Sequence, residues 1–181
     1  MAGWGFSPPA TPPLAQERIF PMSDSRPREV RLKDYAPPTY LVDTVDLHFD
    51  LDDARTLVTA TLKLRRNPAA ATNAPVLTLF GRDLELRSLR LDDRELTPGD
   101  YRILGETLSI AGVPDAFSLR IETLIRPREN TSLEGLYTSS GNFCTQCEPE
   151  GFRKITWFPD RPDVLARYTV TLVAERPRYP V

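Results

Sequence analysis

The sequence predicts a mainly β domain, an antiparallel sandwich or layered sheet, and three observations carry that prediction. Apolar residues recur with a period of two along most of the chain, the spacing that turns one face of a strand toward a core. Turn signals separate these runs at short intervals, the rhythm of an all-β architecture. Proline outnumbers glycine by 18 to 9 in 181 residues. Inside a helix each proline removes a hydrogen bond and breaks the turn, so a bundle of long helices is hard to build from this chain.

Taken in order, the chain opens on a tail. Eight prolines (Pro8, Pro9, Pro12, Pro13, Pro21, Pro27, Pro37 and Pro38) fall in the first 38 residues. They predict an extended stretch over residues 1–34, with the domain occupying 35–181. Residues 1–21 have neither the basic start nor the continuous apolar run of a secretory signal. Met22, followed by Ser23-Asp24-Ser25, reads as a second candidate start, with 1–21 an upstream extension. Without an export signal, Cys144 and Cys147 are expected in a reducing compartment, and the cytoplasm is the expected location.

The strands follow. Val45, Leu47, Phe49 and Leu51 alternate with Thr44, Asp46, His48 and Asp50. Asp52-Asp53-Ala54-Arg55 is a turn, and Val58, Ala60, Leu62 and Leu64 resume the alternation, so the two runs make a hairpin with one apolar face. Residues 76–80 form a short apolar run. Leu84 and Leu86 share one phase while Leu89 and Leu91 share the other, which predicts a bulge near Arg87-Ser88. Asp92-Asp93 turns the chain, and a hairpin over 101–110 folds around Gly105. Phe117, Leu119, Ile121, Thr123 and Ile125 make one more strand, and Tyr168, Val170, Leu172 and Ala174 the last. One short helix is expected over 160–167, capped by Asp160 and with Pro162 in its first turn.

Charge narrows the function. Lys and Arg number 23 against 25 Asp and Glu, a net charge of −2. A nucleic-acid binder or a polybasic membrane-surface protein needs a positive field, and neither partner is expected. No apolar run approaches the ~18 residues of a membrane span.

Information concentrates between Leu133 and Arg167, where the alternation gives way to polar, aromatic and proline residues in a long inter-strand connection. Cys144-x-x-Cys147 is half of a zinc site, since no second pair exists and His48 is the single histidine. A redox role for the pair needs a helix amino terminus that the pattern does not provide. The plain reading is two small, partly buried side chains at a tight turn. Gln146 and Glu148, two apart, share a side if the segment is extended, and an amide beside a carboxylate can grip an ammonium group. The alternative is two solvated loop residues. Arg161-Pro162-Asp163 reads as a local turn with an ion pair.

The residues from Asp34 to Val181 resemble the amino-terminal domain of aminopeptidase N, the zinc-dependent alanyl aminopeptidase family of bacteria, a gluzincin. The resemblance is densest in Asn130-Thr131-Ser132-Leu133-Glu134-Gly135-Leu136-Tyr137 and from Cys144 to Arg167, including Cys-Thr-Gln-Cys-Glu-Pro-Glu-Gly-Phe-Arg and Asp-Arg-Pro-Asp-Val-Leu-Ala-Arg. It implies a saddle-like β-domain lying against a thermolysin-like catalytic domain. It also implies that Glu148 binds the α-ammonium of peptide substrates with a free amino terminus, and that Gln146 lines the pocket for their first side chain. The family also carries a Gly-Ala-Met-Glu-Asn substrate segment, then a His-Glu-x-x-His motif that holds zinc with a more distant glutamate and whose own glutamate is the general base. None of these is present in these 181 residues. The chain is therefore expected to be the front part of a larger enzyme, incomplete at its carboxyl end, binding no zinc and hydrolysing nothing alone. Its expected partner is the catalytic domain of the same polypeptide. The competing reading, from a different class, is a non-catalytic β-sandwich binding module.

Overall fold

The strands lie where the period of two places them. In this computed structural model residues 31–70 and 74–179 are described, so the proline-rich stretch up to residue 30 lies outside the described residues. The chain divides into two units, 1–35 and 36–181. The described part of the first holds a 3-10 turn, Leu32–Asp34. The second holds the strands.

Strand β1 (Tyr40–Leu51) turns into β2 (Thr56–Arg66), as expected. Asp52 makes the turn: its Oδ1 accepts from the N–H groups of Ala54 and Arg55, both at 2.9 Å. Strands β3 (Val76–Phe80), β4 (Glu85–Leu91), β5 (Arg94–Glu95), β6 (Tyr101–Leu104), β7 (Thr107–Ala111) and β8 (Ala116–Ile125) follow. A hairpin of β9 (Gly135–Ser139) and β10 (Asn142–Gln146) and a final strand β11 (Arg167–Ala174) complete the order. A six-stranded sheet runs β11-β1-β2-β8-β4-β5, a three-stranded sheet β3-β7-β6, and β9-β10 pair alone. The predicted shift of phase in β4 is a real irregularity in its pairing with β8, between Leu86 and Ser88. A second one, between Val42 and Thr44 of β1, lets Tyr40 and Val42 join Val45, Leu47 and Phe49 in the core.

One core joins the two larger sheets. Leu62, Leu119 and Ile121 of the larger sheet and Leu79 and Leu108 of the smaller are wholly buried in the same cluster. Each such side chain contributes about 1.5–3 kcal/mol relative to exposure, which is why the period of two is so legible here.

Three features depart from the sequence reading. Strand β11 pairs with β1 in parallel, not antiparallel. Its residues Tyr168, Val170 and Leu172 stand in register with the buried Val45, Leu47 and Phe49. Parallel partners put their side chains on the same face, so this row overhangs the core side. Val170 and Leu172 are nevertheless exposed, Leu172 by 63%, whereas Tyr168 packs its ring against those of Phe152 and Phe158, 5.9 and 6.5 Å between centres. The helix expected over 160–167 does not form. The carboxylate of Asp160 is occupied by Arg153 and is lost as a cap. Pro162 withholds a donor, and the stretch makes a turn instead, with Val164 N–H reaching Arg161 O at 3.1 Å. Finally, the supposed long connection after Leu133 contains the β9-β10 hairpin. Its turn, Ser140-Gly141, has φ of 50° and 83°, the paired left-handed geometry of a tight hairpin.

Candidate functional site

Gln146 is the last residue of β10, and the extended backbone ends one residue later. The segment 147–151 folds into a tight loop, closed by Gly151 N–H donating to Cys147 O at 2.9 Å. Gln146 and Glu148 are brought together, though not as parallel side chains: the Gln146 amide donates to the backbone carbonyl of Glu148 at 2.9 Å. Both residues are exposed. Among the described residues no hydrogen bond or ion pair engages the Glu148 carboxylate.

What holds this loop is a set of residues the sequence reading did not place at the site, Asp160 having been read only as a helix cap. Glycine is required at 151, where an added Cβ would stand 2.6 Å from Gln146 O and 2.9 Å from Cys147 Cα. The 3-10 turn Phe152–Lys154 follows at once. Arg153, from this turn, donates from its backbone N–H (3.1 Å) and Nε (3.0 Å) to Asp160 Oδ2, and from Nη2 to Asp160 O at 2.9 Å. The same guanidinium lies 3.2 Å from Glu150 Oε2 and 5.0 Å from the centre of the Phe80 ring. Lys154, its side chain only 6% exposed, reaches Ser132 Oγ at 2.7 Å and Asp83 Oδ2 at 2.8 Å. Phe158 exchanges backbone hydrogen bonds with Phe80 of β3, at 2.7 and 3.0 Å, tying the whole connection to the smaller sheet. The sequence signal for these anchors was present in their residue types, but not in any spacing: Arg153 and Asp160 are seven apart.

The cysteines are free and partly buried, as the plain reading had it. Burial pushes the Cys147 thiol up, helped by the negative charges of Asp160 and Glu148. That is the opposite of an activated thiolate. His48 sits on the outer face of β1 beside Asp50, 3.3 Å away. Among the described residues no group of three or more His, Cys, Asp or Glu is placed so that it could hold a metal ion, so they do not fit a zinc site. Arg161 and Asp163 form the local ion pair expected, through two contacts of 2.8 and 2.7 Å. A cavity of about 460 Å³, lined by Asp83, Glu85, Arg126, Ser132 and Lys154 among others, includes neither Gln146 nor Glu148. No helix of the described residues is long and apolar enough to cross a membrane.

Residues 104–180 match the Peptidase M1 N-terminal domain. The fold is similar to that of Legionella pneumophila aminopeptidase A, solved with aspartic acid, at a TM-score of 0.77 and 33% identity over 84% of this chain and 18% of that one. An M1 zinc metallopeptidase of Deinococcus radiodurans shares the fold at a TM-score of 0.62 and 15% identity, over 77% of this chain and 33% of that one. The class that fold and sequence define is the β-structured amino-terminal domain of the M1 peptidases, and the chain carries that domain. Within the class the sequence is similar to aminopeptidase N of Caulobacter vibrioides, 49% identical over 85% of this chain and 18% of the relative. Aminopeptidase N of Escherichia coli is 45% identical over 81% and 16%. The chain thus spans less than a fifth of the length of these curated relatives.

Proposed function

We propose that the chain is the substrate-recognising part of a zinc aminopeptidase, in which Glu148 binds the free α-ammonium of a peptide and Gln146 borders its first side chain. The observation that carries this reading is the unengaged carboxylate of Glu148, at the exposed tip of a loop whose backbone is fixed from behind. A carboxylate with open lone pairs suits a cationic ligand, and charge-assisted hydrogen bonds to it are the strong ones. Gln146 spends its amide N–H on the loop and keeps its Oε1 as an acceptor. Held at one distance from the scissile bond, such a carboxylate admits peptides whose amine ends there and rejects longer or blocked ones.

Zinc and the general base belong, in this reading, to a catalytic domain of the same polypeptide that the β-domain walls off. The two unpaired thiols suit a cytoplasmic setting. The test is Glu148→Ala in the full-length protein, assayed on aminoacyl substrates. We expect kcat/KM to fall by the equivalent of about 2–5 kcal/mol, the cost of truncating one partner of a buried charge pair. Near-normal turnover removes Glu148 from the site.

A further inference from the structure

We infer that the Arg153–Asp160 pair is a positioning device for the amine-binding loop, setting where Glu148 stands without touching the substrate. The inference rests on the reading of Glu148 given above.

Four observations build it. First, the pair is nearly closed off from solvent, with side-chain exposures of 12% and 13%. Surface ion pairs contribute little, but a shielded one with several shared hydrogen bonds holds its geometry. Second, the contact is multiple. Asp160 takes the backbone N–H and Nε of Arg153 on one oxygen, while its own carbonyl takes Nη2. The Arg153 side chain therefore cannot swing without losing two bonds together, while its backbone N–H holds the same carboxylate oxygen.

Third, the far end of the pair is anchored in the core. Asp160 N–H donates to Phe158 O at 2.8 Å, and Phe158 is bridged on both sides to Phe80 of β3. The Phe80 ring also lies under the Arg153 guanidinium. Fourth, the near end reaches the loop itself. Arg153 pairs with Glu150, whose φ of 65° is a left-handed conformation that a glutamate adopts only under constraint. Glu150 is followed by Gly151, whose N–H closes the loop on Cys147 O. A continuous path therefore runs from β3 through Phe158, Asp160 and Arg153 to Glu150, two residues from Glu148. A loop built this way presents its carboxylate already placed, and the substrate does not have to order it.

The test is a double-mutant cycle in the full-length enzyme of the proposed function, with Glu148→Gln, Asp160→Asn and the two together. Asp160→Asn keeps the size and the backbone carbonyl of the residue and removes the charge. Misplacing a recognition group by an ångström costs up to about 100-fold, so we expect Asp160→Asn to raise KM by roughly 10-fold or more with kcat little changed. The double variant should be no worse than Glu148→Gln alone, because a positioning residue has nothing left to position. If the two losses multiply, or Asp160→Asn lowers kcat at constant KM, the pair serves stability only and the inference falls while the reading of Glu148 stands. If Glu148→Gln is itself silent, both fall. Arg153→Lys, which keeps the charge and loses the forked contact, runs the same cycle should Asp160→Asn fail to fold.

Discussion

Gln146 donates its side-chain amide to the backbone carbonyl of Glu148 at 2.9 Å, so one candidate site residue braces the other. This makes the two chemically unequal. Glu148 offers a charge, whereas Gln146 offers a brace and one acceptor oxygen. Gln146→Glu replaces the donor by an acceptor facing that carbonyl and adds a second negative charge two residues from the first. Under the proposed function, we expect it to raise KM for aminoacyl substrates more than the smaller Gln146→Ala does. Steady-state kinetics on the full-length protein check the order, and equal effects would remove the brace from the account.

Gly151→Ala should be costly out of proportion to one methyl group. The added carbon would meet Gln146 O at 2.6 Å and Cys147 Cα at 2.9 Å, both backbone atoms that cannot swing aside. Overpacking of this kind costs about 1–3 kcal/mol. Chemical denaturation of the 181-residue chain measures it. The neighbouring Gly141 meets nothing within 4 Å, although its φ of 83° still strains an alanine. A smaller loss at 141 than at 151 separates crowding from backbone strain.

How much of this was legible in the sequence follows from which forces act locally. Val45, Leu62 and Leu119 betray their strands because burial acts residue by residue and repeats every second position. The phase change at Leu86–Leu89 was legible for the same reason. The parallel entry of β11 was not, since alternation states which face a residue takes and nothing about strand direction. The β9-β10 hairpin was hidden because its residues are mostly half-buried or exposed, leaving Ser140-Gly141 as the one local sign of a tight turn. At the site, the resemblance brought out Gln146 and Glu148, whereas Arg153 and Asp160 meet only through the folded chain. Asp160 even carried a local signal for the wrong structure. Its capping preference lost to a guanidinium that only tertiary folding delivers.

Acid should loosen the end of β11 through Asp53. Hydrogen bonds from Arg178 first and Arg128 next hold its carboxyl down, at about 2 instead of the ordinary 3.8. Arg178 lies just beyond β11, and the contact, at 2.6 Å, fastens that segment to the β1–β2 turn. The folded pKa is the lower one, so the stabilisation is fully present above pH 3.8 and is lost as pH falls toward 2. Asp100, also held near 2 by Arg94 and Thr97, adds to the same window. The decisive comparison is therefore the melting temperature of the parent and of Asp53→Asn from pH 6 to pH 2. The gap between them should close as pH falls, and a constant gap would mean that Asp53 acts through packing alone.

The row on β11 should govern how the 181-residue chain behaves by itself. Leu172 is 63% exposed although it stands level with the buried Phe49, and Val170 and Tyr168 on the same face are each about half exposed. β11 is also the outermost strand of its sheet, so its free edge offers backbone donors and acceptors to another chain. An apolar row on an open edge is an aggregation site, and a lysine placed there is the device natural edges use against it. Leu172→Lys should therefore reduce concentration-dependent association, read by sedimentation or light scattering, with little change in stability. Leu62→Ala is the contrasting control: wholly buried between β1 and β8, it should cost about 2–5 kcal/mol. Destabilisation exposes more apolar surface, so association should rise in that variant. If Leu172→Lys associates as readily as the parent, contacts elsewhere on the chain drive assembly and the open edge of β11 is not its cause.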